Sequence, residues 1–529
     1  MQGLPSPLFG GDYYYQQGQI YHYARGGELL ESSSLVDAPF SYAPLYGFLV
    51  SLLARVLPVL ESMKWAAIAI FLLSNLLWYH TLKTILGPWK GLLALLLINS
   101  LTWHPVFKYT EFGYTVMLPI FLYFLYKKEW LAVAFLLGLM AYTHGVLFLG
   151  VGFLTLAALI RHPKAFPYFF LTVVIILPLV WVYWETGLEP KFPRYKMDFP
   201  DFSNPEVWGW FLKYSLEKLL LEWHGWIALL LLYFGIEKKD LTWLLAAFIA
   251  TFSFVITEPL FHINFFPTYM LSLLFFPILV ISVVGLAKVP ENLIWVVVIV
   301  AALFNLWDWN EKVSDPFFQV AYQPLPEDWL SLQAYLLENA SVDSVIITTK
   351  EIGFAVNALT GAKLITGRWA HNTNTPYVDM PLRDTETAII LYGNNLSHKL
   401  ELLEKWGADY IFWHITWPST EFVDYVIPRN AREAAAVIYN PLFTTNPDYK
   451  YRLMEEGVIT FDVEMWLDPS VREWYVRTFN TTVVSWQNYD ISGYGVWRDD
   501  LDPYLEPVWT YYYQGRPIAI LYKIKGGTG

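Results

Sequence analysis

Few side chains in this sequence can do chemistry, so each can be weighed by itself. Asp12 is the one carboxylate in a Gly- and Tyr-rich opening, LPSPLFGGDYYYQQGQIYHYARGG, ahead of a short amphipathic pattern that closes at Gly26 and Gly27. Glu111 lies between two apolar segments in HPVFKYTEFGYTVML; Glu258, in FVITEPLFHINFFP, follows a long apolar run and precedes a proline. Ionisable groups at membrane depth are costly and are kept for function. The competing reading of all three is a helix cap or a solvated helix end, a common use of acidic residues. His144, in the break AYTHGVLF, is able to donate to a phosphate or take a proton, or simply to satisfy a turn. Lys191, Arg194, Lys196 and His262 make a basic set of the kind a lipid phosphate or pyrophosphate attracts, or else an ordinary solvated loop. Arg368, in GRWAHN, carries the same two readings. The sequence contains no P-loop, G-x-S-x-G, H-E-x-x-H or dinucleotide fingerprint, which removes most soluble reaction classes. Cysteine is absent, so no disulfide or thiolate metal site is available.

The elements that must position these groups are mostly apolar. Of 529 residues 55% are hydrophobic, 18% aromatic and only 16% charged, too apolar for a soluble enzyme of this length. Candidate spanning helices cover residues 64–86, 90–107, 113–126, 130–143, 145–160, 165–184, 223–236, 241–257, 265–286 and 292–307, near the lengths that cross a bilayer. Residues 43–59, with Arg55 and Pro58, suit a helix lying in the interface. Basic turns at Lys83 and Lys90, Lys127 and Lys128, Arg161 and Lys164, Lys238 and Lys239, and Lys288 alternate with acidic or polar ones, which puts the basic turns in the cytoplasm. Asp12, Glu111, His144, the 185–222 loop, Glu258 and the C-terminal part then share the outer face, and Asp12 reads as the rim of a membrane-embedded active site. An even number of spans leaves residues 1–63 outside with nothing to deliver them, so an N-terminal first helix is expected to be missing from this chain.

From about residue 310 the texture is that of a soluble α/β domain. Short β-rich runs, SVIITT at 344, AKLIT at 362, AIILYG at 388, ADYIFWHI at 408 and AILYKI at 519, alternate with helical stretches such as DWLSLQAYLLENA and LSHKLELLEKWG. Their order predicts a partly parallel sheet. The net charge of −12 resides in the polar C-terminal part, which speaks against a nucleic-acid partner. Asn-x-Ser/Thr triplets at Asn339, Asn395 and Asn480 also fall there. The expected fold is a polytopic α-helical membrane protein with a C-terminal extracytoplasmic α/β domain, divided as 1–63 outer loop with amphipathic helices, 64–309 transmembrane bundle and 310–529 α/β domain, in the cell membrane.

On these features the chain resembles the GT-C superfamily of membrane glycosyltransferases, most of all the oligosaccharyltransferase catalytic subunit and protein O-mannosyltransferase-like archaeal relatives. The likeness rests on Asp12 followed by an amphipathic helix and the Pro-led APLYGFLVSLL, on Glu111 in NSLTWHPVFKYTEFGYTVML, on Glu258 in ITEP, and on the C-terminal order of Gly353, Gly367-Arg368, Arg383 and WGADYIFW. It departs from the oligosaccharyltransferase pattern where an acidic pair is replaced by Tyr114 and Val116 and where TTKEIGF stands in place of a WWDYG motif. The resemblance implies a GT-C-like transmembrane bundle, a polyprenyl-phosphate-linked sugar donor, a hexosyl or pentosyl transfer, and a glycan, lipid or protein acceptor. It further implies catalytic roles for Asp12 and Glu111, donor-phosphate contacts from His144, His262, Lys191, Arg194 and Lys196, and Mg²⁺ or Mn²⁺ held by Asp12, Glu111 and Glu258. The missing acids motivate a second reading, a non-catalytic GT-C-like scaffold or glycolipid-binding protein. A transporter fits less well, since transporters bind near the midplane and the polar residues here gather at one face.

Overall fold

The computed structural model describes residues 11–40, 43–101, 112–186, 325–368, 378–417, 443–444, 446–458, 460–465, 479–484 and 499–526, with scattered positions between 205 and 310. The chain divides into two compact units, one made of Met1–Ser62, Val182–Leu188 and Asp315–Gly529, the other of Met63–Trp181 and Glu189–Ser314. The opening segment, expected as an outer loop of its own, is thus structurally continuous with the C-terminal domain.

Two helices begin the first unit, α1 (Gly11–Ala24) and α2 (Leu45–Ala54). The apolar unit then runs through α3 (Val59–Leu86), α4 (Pro88–Leu101), a π-helical turn Gly113–Met117 leading into α5 (Leu118–Lys127), α6 (Trp130–Ala141), α7 (Gly145–Arg161), and a 3₁₀ turn Pro163–Phe169 leading into α8 (Phe170–Thr186). Breaks fall where backbone chemistry demands them. Gly87 takes a positive φ of 86° and Pro88 opens α4, the usual glycine-after and proline-at-start arrangement. Helix-to-helix contact is fixed by hydroxyls that reach a neighbour's carbonyl: Thr81 donates to Pro119 O at 2.9 Å, Thr172 to Ala134 O at 2.7 Å and Tyr142 to Ile175 O at 2.8 Å. Trp65, Phe71, Leu72 and Leu76 on α3 and Phe170, Leu177, Trp181 and Trp184 on α8 stay exposed. Apolar surface on that scale calls for a lipid or protein covering. Among the described residues two helices, Val59–Leu86 and Pro163–Val182, are long and apolar enough to cross a membrane. The expected segments from 223 onward lie outside the described residues.

The α/β part of the first unit follows as α9 (Glu327–Asn339), β1 (Val345–Ile347), α10 (Lys350–Thr360), β2 (Lys363–Leu364), α11 (Met380–Tyr392), α12 (Leu396–Lys405), β3 (Ala408–His414), β4 (Phe443–Thr444), α13 (Pro447–Glu455), β5 (Thr460–Met465), β6 (Phe479–Val484), β7 (Leu505–Tyr513) and β8 (Arg516–Ile524). The main sheet runs β2-β1-β3-β8-β7: β1 pairs parallel with β2 and β3, whereas β3, β8 and β7 are antiparallel neighbours. A second, antiparallel sheet is ordered β4-β6-β5. One expected strand is a helix: AIILYG forms the last turns of α11. A short apolar run does not by itself tell a buried strand from a buried helix. What decides it is the start, where the Asp379 carboxylate accepts from Leu382 N at 3.0 Å and Pro381 occupies the first turn.

Charges bind this core together. Lys350 pairs with Asp384, both fully buried, and Thr366 donates to the same carboxylate. Arg368 forks onto Glu351, with Nε at 2.7 Å from Oε1, and its guanidinium lies 3.6 Å over the Phe354 ring. Arg383 spans the Val36, Ile365 and Asp37 carbonyls at 2.9, 3.0 and 2.9 Å, and Glu386 takes Lys405 and Trp406 at 2.6 and 2.8 Å. Arg368 is therefore neither a solvated turn residue nor an exposed anion contact; it is a buried half of an ion pair. Removing one partner of such a pair leaves an uncompensated charge. Glu351→Leu is expected to destabilise the unit by about 3–5 kcal/mol, whereas Glu351→Leu with Arg368→Met costs much less; thermal unfolding of the full chain in detergent measures both.

Candidate functional site

Asp12 is the second residue of α1 rather than a residue ahead of it. From Tyr13 to Tyr23 almost every position of this helix is buried, so the amphipathic pattern read from the sequence is not an exposed-face pattern. Its polar side is turned inward because α2 and α10 cover it. Gln16, Gln17, Gln19 and His22 are all buried. Gln19 donates to the Tyr23 hydroxyl at 3.3 Å, and Tyr23 to Leu29 O at 3.2 Å. Gly47 of α2 leaves the space that Gln19 fills, since a Cβ there would fall 2.5 Å from Gln19 Oε1.

Contact with α10 is closer still. A Cβ on Gly18 would lie 2.5 Å from Asn357 Oδ1 and 2.9 Å from the Asn357 carbonyl oxygen. At the end of α10, Gly361 adopts a left-handed φ of 74°, and a Cβ there would stand 2.8 Å from the His22 nitrogen. Asn357 donates through Nδ2 to Ser33 O at 2.7 Å and Ala362 O at 2.8 Å. Gln333 of α9 donates to the Tyr21 hydroxyl at 2.9 Å and to Leu359 O at 2.7 Å. Arg25 donates to Thr360 O at 2.9 Å and to the Ala340 carbonyl. Arg25, Gln333 and Asn357 carry no signal of this role in the sequence.

His22 is the most perturbed of these groups. Burial, with Lys363 and Arg25 nearby, pushes its imidazole down to about 4, against a weaker upward pull from a 3.3 Å contact of Nε2 with the Glu28 carbonyl. Nε2 is thus assigned the proton, and Nδ1 has no hydrogen-bond partner among the described residues. Lys363 is also depressed by burial, opposed by Glu31 at 3.0 Å.

Of the other sequence-predicted residues, His144 caps α7, its Nδ1 accepting from Leu147 N at 3.4 Å, and its ring stands 6.2 Å from that of Tyr114. It belongs to the apolar unit, Asp12 to the other. Glu111, Lys191, Arg194, Lys196, Glu258 and His262 lie outside the described residues. Among the described residues no group of three His, Asp or Glu side chains could hold a metal ion.

The fold and site define a chain that joins apolar helices to a mixed α/β domain, with a carboxylate-led helix buried in the latter. No protein-family model matches it. The chain belongs to the family of the uncharacterized protein MJ1080 of Methanocaldococcus jannaschii, with 35% identity over 100 residues that cover 18% of this chain and 73% of that protein. Its fold is similar to those of several solved structures. The archaeal oligosaccharyltransferase AglB of Archaeoglobus fulgidus, in complex with an inhibitory peptide and a dolichol-phosphate, is 10% identical with a TM-score of 0.45, covering 93% of this chain and 72% of that one. ArnT of Cupriavidus metallidurans bound to undecaprenyl phosphate is 13% identical with a TM-score of 0.41, covering 98% and 94%. Against the apo crystal structure of the Archaeoglobus fulgidus oligosaccharyltransferase, the match is 11% identical with a TM-score of 0.43 over 77% of this chain, which spans 66% of the length of that one.

A histidine held neutral by burial makes stability depend on pH. Between about 4 and 6.5 the unfolded chain binds the His22 proton and the folded chain does not, so stability rises with pH through this window and is complete above it. The shift corresponds to about 3 kcal/mol lost by pH 4. Thermal unfolding of the wild type is expected to fall more steeply from pH 6.5 to 4 than that of His22→Gln.

Proposed function

We propose that the chain is a membrane glycosyltransferase that moves a sugar from a polyprenyl-phosphate-linked donor to an acceptor at the outer face of the membrane, with Asp12 as the catalytic base. The observation that carries this reading is the setting of Asp12: a lone carboxylate in the first turn of a helix buried in an α/β unit, followed at once by the Pro-led α2 and then by apolar helices. That is the order of features on which the sequence resemblance to GT-C glycosyltransferases rests. Dolichol-phosphate and undecaprenyl phosphate, bound by the two neighbours, are the carrier lipids that a donor of this class would release.

In the reaction an acceptor hydroxyl gives its proton to the Asp12 carboxylate while its oxygen bonds to the anomeric carbon. The bond from that carbon to the phosphate oxygen breaks, and its electron pair leaves with the polyprenyl phosphate, so the anomeric configuration inverts. Lys191, Arg194, Lys196, His144 and His262 are the groups that would hold the donor phosphate. Asp12, Glu111 and Glu258 offer only oxygen ligands, the donor set that suits Mg²⁺ or Mn²⁺, and such an ion would supply charge neutralisation to the departing phosphate. The α/β domain would shape the acceptor side.

Asp12→Asn is expected to lower transfer by about 10²–10⁴-fold, the usual contribution of a positioned base, with the unfolding temperature of the full chain unchanged. The check is turnover of polyprenyl-phosphate-linked hexoses and pentoses by the purified protein in liposomes. Full activity of the variant sinks the assignment of Asp12, and tight binding of the polyprenyl phosphate without turnover by the wild type favours a glycolipid-binding protein instead.

A further inference from the structure

We propose that the C-terminal α/β domain is the positioning element for the Asp12 turn, and that Arg25, Gln333 and Asn357 are the positioning residues that set where α1 stops along its own axis. The inference rests on the reading of Asp12 as the base and adds to it the part of the chain that holds this base in place.

Two kinds of contact fix a helix differently. Apolar side chains tolerate small slips along a groove, whereas close backbone approach and directed hydrogen bonds do not. In α1 both of the stricter kinds are present on the same face. Gly18 and Gly361 bring the α1 backbone to α10 with no space for a Cβ on either. Polar contacts then occur at three places along and just beyond the helix: Gln333 on the Tyr21 hydroxyl, Arg25 across the Thr360 and Ala340 carbonyls, and Asn357 on the Ser33 carbonyl. Each of these residues of the α/β domain also holds its own unit, Gln333 through Leu359 O and Asn357 through Ala362 O, so the anchors are fixed at both ends. With a rise of 1.5 Å per residue, Gly18 stands about 9 Å and Arg25 about 20 Å along the axis from Asp12. A helix transmits an axial shift along its length, so a slip at Arg25 reaches the first turn.

The consequence is kinetic. An error of about 1 Å in the position of a reacting group costs about 10²-fold in rate, and a base that is displaced but still charged leaves donor binding intact. Arg25→Ala and Gln333→Ala are expected to lower kcat by about 10- to 100-fold with the donor KM changed by less than about twofold, the mark of an interaction felt in the transition state. Arg25→Lys, which keeps one donor for the Thr360 carbonyl, is expected to recover most of the loss.

The experiment is steady-state transfer by the full chain in liposomes, with polyprenyl-phosphate-linked hexoses and pentoses as donors, on the wild type, Asp12→Asn, Arg25→Ala, Arg25→Lys and Gln333→Ala, alongside thermal unfolding of each. A kcat loss in Arg25→Ala or Gln333→Ala beyond what the folded fraction explains, with KM held and Arg25→Lys restored, supports the proposal. An inactive Asp12→Asn beside wild-type kcat in both Arg25→Ala and Gln333→Ala overturns the positioning role and leaves the base standing, and so does a loss proportional to unfolding. Full turnover by Asp12→Asn, or none by the wild type with any donor, overturns the reading of the base and the positioning role with it.

Discussion

The close approach of α1 to α10 constrains the rest of the first unit. Two backbones that meet at Gly18 and Gly361 leave no room for slack, and each neighbouring feature follows from that distance. Asn357 supplies one amide nitrogen that donates to two carbonyls, Ser33 O and Ala362 O. Residue 361 must turn left-handed to release the chain from α10 without striking the His22 nitrogen, which only glycine does cheaply. His22 must stay neutral, because the same packing that excludes water from α1 removes the solvation an imidazolium needs. Tight packing, a neutral histidine and an amide latch are one arrangement seen from three sides.

Around this contact the α/β domain uses charges where an ordinary core would use methyl groups. Lys350, Glu351, Arg368, Arg383, Asp384 and Glu386 are buried on adjoining elements. Their pairing is close to complete among the described residues: ammonium to carboxylate, guanidinium to carboxylate, guanidinium to three carbonyls. Pairs of this kind add little net stability over apolar residues of the same volume. What they add here is register, because Arg383 reaches Val36 and Asp37 only if the N-terminal segment lies along β2 in one alignment. The backbone bonds Leu364 N to Ser34 O and Val36 N to Leu364 O, at 2.8 and 3.0 Å, agree with that alignment.

The sequence was legible where local signals act alone. The breaks between α3 and α4, α5 and α6, and α6 and α7 fall where the sequence places them, because Gly87, Pro88, Lys128 and the Thr143-His144-Gly145 break interrupt the apolar runs visibly. Strands β1, β2, β3 and β8 were legible for the same reason, and so was the partly parallel sheet. What misled was AIILYG, whose composition suits a strand and whose helical fate is decided nine residues upstream by the Asp379 cap. The partnership of residues 11–40 with the α/β domain was not legible at all. It depends on Gly18 meeting Asn357, and no local pattern links residues so far apart. For the proposed site, Asp12 stands out in the sequence through its isolation in an apolar chain, whereas Arg25, Gln333 and Asn357 look like unremarkable polar residues until they are seen against α1.

The separation between α1 and its partners also sets an order of events during synthesis. Arg25 and the Thr360 carbonyl it binds are 335 residues apart. At about 5–20 residues per second the ribosome takes tens of seconds to close that interval. Throughout it, α1 has α2 beside it but lacks the α10 surface that covers the rest of the helix, while the apolar helices are already emerging. Docking of α1 is therefore a late step of high contact order, and losses in this contact would register first as nascent chains that never mature.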